Sequence, residues 1–286
     1  MQIEVRNVSY TYDYGNKETY KALDHVSFDV NQGDFLAIVG KTGAGKSTLI
    51  QMFNGLLLPD EGEVDIDEFV VSKDPKKRSK KLFLLRKKVG MVFQFPEYQL
   101  FEESVLKDVM FGPKNFGLKD DEAMVVAKSA LNSVHISEKY YDRSPFELSG
   151  GEKRKVAIAG ILASKPEIMV LDEPTAGLDP LAKLDIMNLL KELHDNGTTI
   201  ILVTHDMDVV MNYASKVIVL NDAKLMKITT PDALFNEPDV EKYSLEIPTL
   251  YKFKRILEAE GYKKDLKSVN DFDSLISAII EGKNNG

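Results

Sequence analysis

Ile3, Val5 and Val8 alternate with polar positions, and a second short apolar run covers Val26 to Val30 after a loop rich in Tyr and Gly. A period of two on both sides of a loop predicts an antiparallel ribbon. Phe35-Leu-Ala-Ile-Val39 is apolar on both faces, as a central parallel strand must be. Similar runs lie at Gly90 to Phe93, Ile168 to Leu171, Ile200 to Val203 and Val217 to Leu220, most of them separated by segments of helical period. This alternation predicts an α/β architecture built on a parallel sheet with crossover helices. It is broken from about Pro96 to Ala163, where only helical patterning appears, so an all-helical insertion is expected there. From Pro231 onward the chain again reads as helices, with one stripe of Leu250, Phe253, Ile256 and Leu257 and another of Phe272, Leu275, Ile276, Ile279 and Ile280. Such stripes suit packing onto the body or contact with another chain.

Length and charge narrow the picture. With 286 residues the chain holds two ordinary domains, or one large α/β domain with an appendage. A formal charge of −8 argues against a dedicated nucleic-acid binder. The absence of Cys excludes disulfides, thiolate metal sites and thiol nucleophiles. No apolar run approaches the roughly 18 residues of a membrane span, so an intracellular chain is expected whose role at a membrane passes through a partner. Lys73 to Lys88 is crowded with Lys and Arg around one acid, Asp74. A solvated charged surface is the ordinary reading of such a run, and a face toward anionic lipid the alternative.

Two motifs carry chemistry. Gly40-Lys41-Thr42-Gly43-Ala44-Gly45-Lys46-Ser47, with Thr48 beside it, fits G-x-x-x-x-G-K-[ST] between a buried strand and a helix start. Glycines let backbone N–H groups wrap phosphates without Cβ clashes; Lys46 is placed for the β- and γ-phosphates and the Ser47 hydroxyl for Mg²⁺. Downstream, Asp172 and Glu173 end a buried strand on the side where open parallel sheets bind ligands. Asp172 suits Mg²⁺, directly or through water, and Glu173 suits general-base activation of an attacking water. Four His without a spaced carboxylate cluster do not make a metal-only site.

Leu148-Ser149-Gly150-Gly151-Glu152 precedes another helix start and reads either as a capped helix or as a second anion cradle. Taken with its neighbours it resembles the signature segment of ATP-binding-cassette (ABC) ATPases, and the resemblance covers residues 1 to 228. It implies a P-loop NTPase: a RecA-like parallel-sheet core, an N-terminal antiparallel β-subdomain, a helical signature subdomain inserted at about 96–163, and a small C-terminal helical extension over 229–286. By the same resemblance Tyr12 stacks on adenine, Gln94 senses Mg²⁺ and water, Pro174 to Asp179 crosses a dimer interface, and His205 meets the γ-phosphate. Glu152 stands where Gln is commonest. The family's ATP sandwich pairs one chain's phosphate loop with the other chain's Ser149, Gly150 and Gly151.

Phe93-Gln-Phe-Pro-Glu-Tyr-Gln-Leu-Phe101 and Leu148 to Gly160 are further similar to the ATPases of energy-coupling-factor (ECF) importers, and more to the second ATPase of the pair than the first. That similarity implies ATP and Mg²⁺ as cofactors, a non-identical ATPase partner, a transmembrane coupling protein, a substrate-binding membrane protein, and a peripheral place on the cytoplasmic face of the cell membrane. Vitamins or metal ions are the implied cargo. Pro96, Glu97, Gln99 and Leu100 would line the groove for a coupling helix, with Glu97 toward an Arg on it, and the extension would join the two ATPases. A conventional importer ATPase with dedicated permeases is the nearest alternative.

Overall fold

The computed structural model describes residues 1–13, 15, 18–262, 266 and 269–284. The predicted ribbon is β1 (Ile3–Asp13) paired with β2 (Thr19–Val30), but it is only half of a sheet. β4 (Glu61–Ile66) and β5 (Phe69–Val71) extend it to a four-stranded antiparallel sheet in the order β2-β1-β4-β5. Neither added strand was expected from the pattern, because β4 buries only Val64 and Ile66 and β5 is three residues long.

The second sheet contains β3 (Phe35–Val39), β6 (Val89–Val92), β7 (Ile168–Asp172), β8 (Thr199–Val203), β9 (Lys216–Asn221) and β10 (Lys224–Thr229). Its order is β10-β9-β3-β8-β7-β6, parallel throughout except for the antiparallel edge β10. β3 and β8 are buried at every position because both faces of the sheet are covered. Leu36 and Ile38 join the core toward the antiparallel sheet, while Ala37 and Val39 join a core completed by the C-terminal helices. Each fully buried Val, Leu or Ile of this kind contributes about 1.5–3 kcal/mol. The register pairs Ile38 with Val203 and Asp172 with Val203, so β3, β8 and β7 end side by side.

Helix α1 (Lys46–Met52) follows β3, and α2 (Leu82–Lys88) leads into β6. Between β6 and β7 the described residues form helices and turns only: a 3-10 turn at Pro96–Gln99, then α3 (Val105–Asn115), α4 (Asp120–Ser133) and α5 (Gly150–Leu162). α6 (Pro180–Asp195) and α7 (Met207–Tyr213) flank β8. In the basic stretch Lys73, Lys77 and Lys88 pair with Asp60, Glu63 and Asp67, each at 2.9 Å, so these charges are neutralised by the chain's own carboxylates.

The C-terminal part comprises α8 (Pro231–Phe235), α9 (Thr249–Ala259) and α10 (Phe272–Asn284). It splits each expected stripe in two. Leu250 and Leu275 are buried against β9 and α7, and Leu257 and Ile279 pack on the same core. Phe253, Ile256, Phe272, Ile276 and Ile280 stay exposed, and the rings of Phe253 and Phe272 meet edge to face at 5.9 Å. The Asp208 carboxylate accepts from both the amide and the hydroxyl of Thr249 at 2.7 Å, tying α9 to α7. Among the described residues no helix is long and apolar enough to cross a membrane.

Candidate nucleotide site

The strand order places four loops in a row: after β3 the phosphate loop, after β8 His205, after β7 Glu173, after β6 Gln94. Gly40 has φ +147°, and a Cβ there would lie 2.0 Å from the Leu220 carbonyl oxygen; Gly45, at φ +99°, would meet the Ala22 carbonyl oxygen at 2.1 Å. Only glycine fits either place, which is why the motif demands it. Together these loops enclose a cavity of about 400 Å³ lined by Thr42, Gly43, Gly45, Lys46, Ser47 and Thr48, by Gln94, Asp172, Glu173 and His205, and by Tyr20.

Inside it the side chains are already connected. Lys46 Nζ donates to the carbonyls of Gly40 at 2.7 Å and Lys41 at 3.0 Å. Burial lowers its pKa, against the opposing charges of Glu173 and Asp172. The Ser47 hydroxyl donates to Asp172 Oδ2 at 2.8 Å. Burial raises the Asp172 pKa, and the Ser47 bond and the Lys46 charge only partly offset it. A half-buried carboxylate carrying such a penalty, with a hydroxyl in contact, is a hard-oxygen pair that suits Mg²⁺, an ion that takes one or two carboxylates and completes its shell with phosphate oxygens and water.

Glu173 takes a left-handed φ of 49°. A non-glycine residue pays roughly 1–2 kcal/mol for that conformation. The turn is held by the bond from its amide to Val203 O at 2.9 Å. Its carboxylate, 14% exposed, lies 2.8 Å from His205 Nδ1, while the His205 ring is 77% exposed. A carboxylate aligned by an imidazole on a phosphate cavity has the form of a general base with its orienting partner.

The remaining expected residues lie elsewhere. Tyr12 does not line this cavity; its hydroxyl is 3.2 Å from Thr48 Oγ1 and its ring packs edge-on against Tyr10. Tyr20, which the pattern did not single out, lines it instead and donates its hydroxyl to Gly43 O. Ala44 is fully buried beneath the loop, and Gly40 and Lys41 face an adjoining cavity walled by Ser244, Leu245 and Glu246 of the C-terminal part. Ser149, Gly150, Gly151 and Asp179 form a separate cavity of about 440 Å³ between α5 and α6. There Ser149 caps α5, and Glu152 accepts from the Ser149 amide at 2.9 Å and hydroxyl at 2.8 Å. The backbone bond from Ser149 leads the lowering of the Glu152 pKa. The charge in the place of the family's Gln is thus spent on the cap. Asp179 caps α6, accepting from the amides of Leu181 and Ala182 at 3.0 Å.

Within the chain, both carboxylate oxygens of Glu97 bond Arg154, at 3.0 and 2.6 Å.

The ABC transporter family profile matches residues 23–176. The chain is 48% identical to the energy-coupling factor transporter ATP-binding protein EcfA2 of Streptococcus sanguinis (strain SK36), over 91% of this chain and 93% of that protein. The protein of the same name from Streptococcus agalactiae (strain NEM316) matches with the same identity and coverage. Among solved structures, cbiO1 from Clostridium perfringens, part of the ABC transporter complex cbiONQ, superposes with a TM-score of 0.73 at 37% identity, covering 89% of this chain and 98% of that one. A dimeric cassette, MJ0796, in a post-hydrolysis state bound to ADP and Pi, gives a TM-score of 0.70 at 32% identity over 80% of this chain and 98% of its own. The chain therefore belongs to the ATP-binding ATPases of the ABC transporter family, in their energy-coupling-factor branch.

Proposed function

We propose that this chain hydrolyses ATP at a site completed by the signature segment of a second, non-identical ATPase, and so drives uptake of a vitamin or metal ion through partner membrane proteins. The observation that carries the proposal is the division of the site: Lys46, Glu173 and His205 share one cavity, while Ser149, Gly150 and Gly151 open into another. Two chains set head to tail bring one cavity of each kind onto the same nucleotide.

In this reading Lys46 leaves the loop carbonyls for the β- and γ-phosphates, and loop amides hold the remaining oxygens. Ser47, Asp172 and Gln94 hold Mg²⁺, which neutralises charge on the phosphate oxygens. Glu173, aligned by His205, accepts the proton of the attacking water. Gln94 fixes that water, and His205 lies within reach of the γ-phosphate. Tyr12 closes over the base from the β1 side, and Asp179 faces the partner across the interface. The apolar tail stripe of Phe253, Ile256, Phe272, Ile276 and Ile280 joins the two ATPases through residues 229–286. The groove at Pro96 to Leu100 receives the coupling protein; its exposed surface comes from Tyr98, 84% accessible, and from the ring pair Phe101 and Phe111. The chain then sits on the cytoplasmic face of the membrane without entering it.

The test is recovery from native membranes in mild detergent, with the chain tagged and its companions identified by mass spectrometry. A second, non-identical ABC ATPase with one coupling membrane protein and a varying small membrane protein is the expected set. Two dedicated permeases with no second ATPase would overturn it in favour of a conventional importer.

A further inference from the structure

Arg154 has no place in the chemistry above, yet it is the largest fully buried side chain of the molecule as described, 1% exposed. A guanidinium in that position is costly to desolvate, and an apolar residue of similar volume often serves stability as well. Its contacts show what it connects. Nε and Nη2 bond the two carboxylate oxygens of Glu97 at 3.0 and 2.6 Å. Nη1 donates to Pro174 O at 2.8 Å and to Ala176 O at 2.9 Å. The guanidinium carbon lies 5.7 Å from the centre of the Phe95 ring, and a Cβ at Gly177 would lie 3.4 Å from that ring.

Each partner stands next to a residue of the site. Phe95 precedes the turn that follows Gln94, and Glu97 lies within it. Pro174 is bonded to Glu173 in sequence, and the Ala176 amide returns to Glu173 O at 3.1 Å. Arg154 itself lies one turn into α5, whose first residues are Gly150 and Gly151. A planar fork with five fixed donors holds these three segments in one geometry, which a lysine cannot reproduce.

We propose that Arg154 is a positioning residue that locks the partner groove to the catalytic base: a shift of the Pro96–Gln99 turn moves Glu97, and Arg154 carries it to the Pro174 and Ala176 carbonyls and to the signature end of α5. The proposal rests on the transport reading above and adds to it the path by which the groove reaches the site. Arg154 does not line the nucleotide cavity, so its loss alters the coupling and not the binding of ATP.

The experiment uses the complex purified from native membranes and the ATPase pair without its membrane proteins, each as wild type, Arg154→Lys, Arg154→Ala and Glu97→Gln. The readouts are kcat and KM for ATP and the ratio of the two preparations' hydrolysis rates, each normalised to its own fraction of ATP-binding protein. For Arg154→Lys the ratio is expected to move toward one by about threefold or more, the scale of substitutions along a coupling network, with KM within about twofold. Glu97→Gln, which keeps the side chain's shape and leaves the carbonyl bonds, moves it the same way by less. A ratio unchanged in both Arg154 variants overturns the proposal, as does a fall of kcat in equal proportion in both preparations. A wild-type preparation that brings no membrane partner with it breaks the transport reading instead.

Discussion

The two cavities that divide the site both open at the start of a helix, α1 after Gly45 and α5 after Ser149, and they treat that helix end in opposite ways. Gly45 has no side chain to offer, so the first amides of α1 face the cavity with nothing of their own residue to cap them. Around them stand Lys46, Ser47 and the Glu173–His205 pair. At α5 the amides are already served: Ser149 and Glu152 bond one another in a reciprocal capping box. The first cavity is short of an anion; the second is satisfied alone and brings Ser149 and two glycines to whatever approaches it. An uncapped helix end next to a base makes a site that binds and reacts, and a capped one makes a surface that completes a neighbour's site.

The difference can be broken by substitution. Glu173→Gln, which leaves the loop intact, is expected to keep ATP binding and to lose at least ~10²-fold in hydrolysis, the scale of a general base; turnover near wild type would remove Glu173 from that role. Lys46→Ala should weaken ATP binding by about ten- to a hundredfold, as loss of a charged hydrogen bond of roughly 1.5–3 kcal/mol implies. Equilibrium binding of a fluorescent ATP analogue reads this, and an unchanged affinity would count against the phosphate role. Ser149→Ala should leave nucleotide affinity of the isolated chain untouched and lower hydrolysis of the assembled pair about tenfold, since the hydroxyl, which caps α5 in its own chain, meets a nucleotide only across the interface. A loss of affinity in the isolated chain would place Ser149 on the wrong side of the comparison.

Acid separates the cavities as well. Burial raises the Asp172 pKa, so its carboxylate takes up a proton at higher pH than an ordinary aspartate. A metal needs the ionised form, so the Mg²⁺ concentration for half-maximal ATPase activity should climb as pH falls, beginning above the usual carboxylate range. Glu152 shifts the other way and keeps its charge to lower pH, so the cap of α5 survives that titration. The smallest effect belongs to Glu152→Gln: an amide oxygen still accepts from Ser149, and loss of the charge at the helix start should cost about 0.3–1 kcal/mol, read as a small fall in Tm.

What the sequence discloses here is local. Gly40 and Gly45 belong to a motif that shows in eight consecutive residues, whatever carbonyls press on them, and Phe35 to Val39 can be read as buried on both sides without knowing what covers it. What it conceals depends on contacts between distant segments. β4 shows two buried apolar residues, too few to count until β1 lies beside them. The pairing of Arg154 with Glu97 spans 57 positions, and within a basic helix start Arg154 looks like one more surface charge. Tyr20 reaches Gly43 across 23 positions. The tail stripes were legible as apolar but not as divided, because which half faces the body depends on where Asp208 anchors Thr249. The row of four loops follows from the strand order, which no single motif contains.

The central claim, that each chain carries two half-sites and neither works alone, is tested most directly by specific ATPase activity against protein concentration, with and without the second ATPase. Activity per chain that vanishes on dilution and returns when the partner is added is the result expected from the divided cavities. A dilute, monomeric chain that hydrolyses ATP at the full rate, independent of concentration and partner, would contradict it.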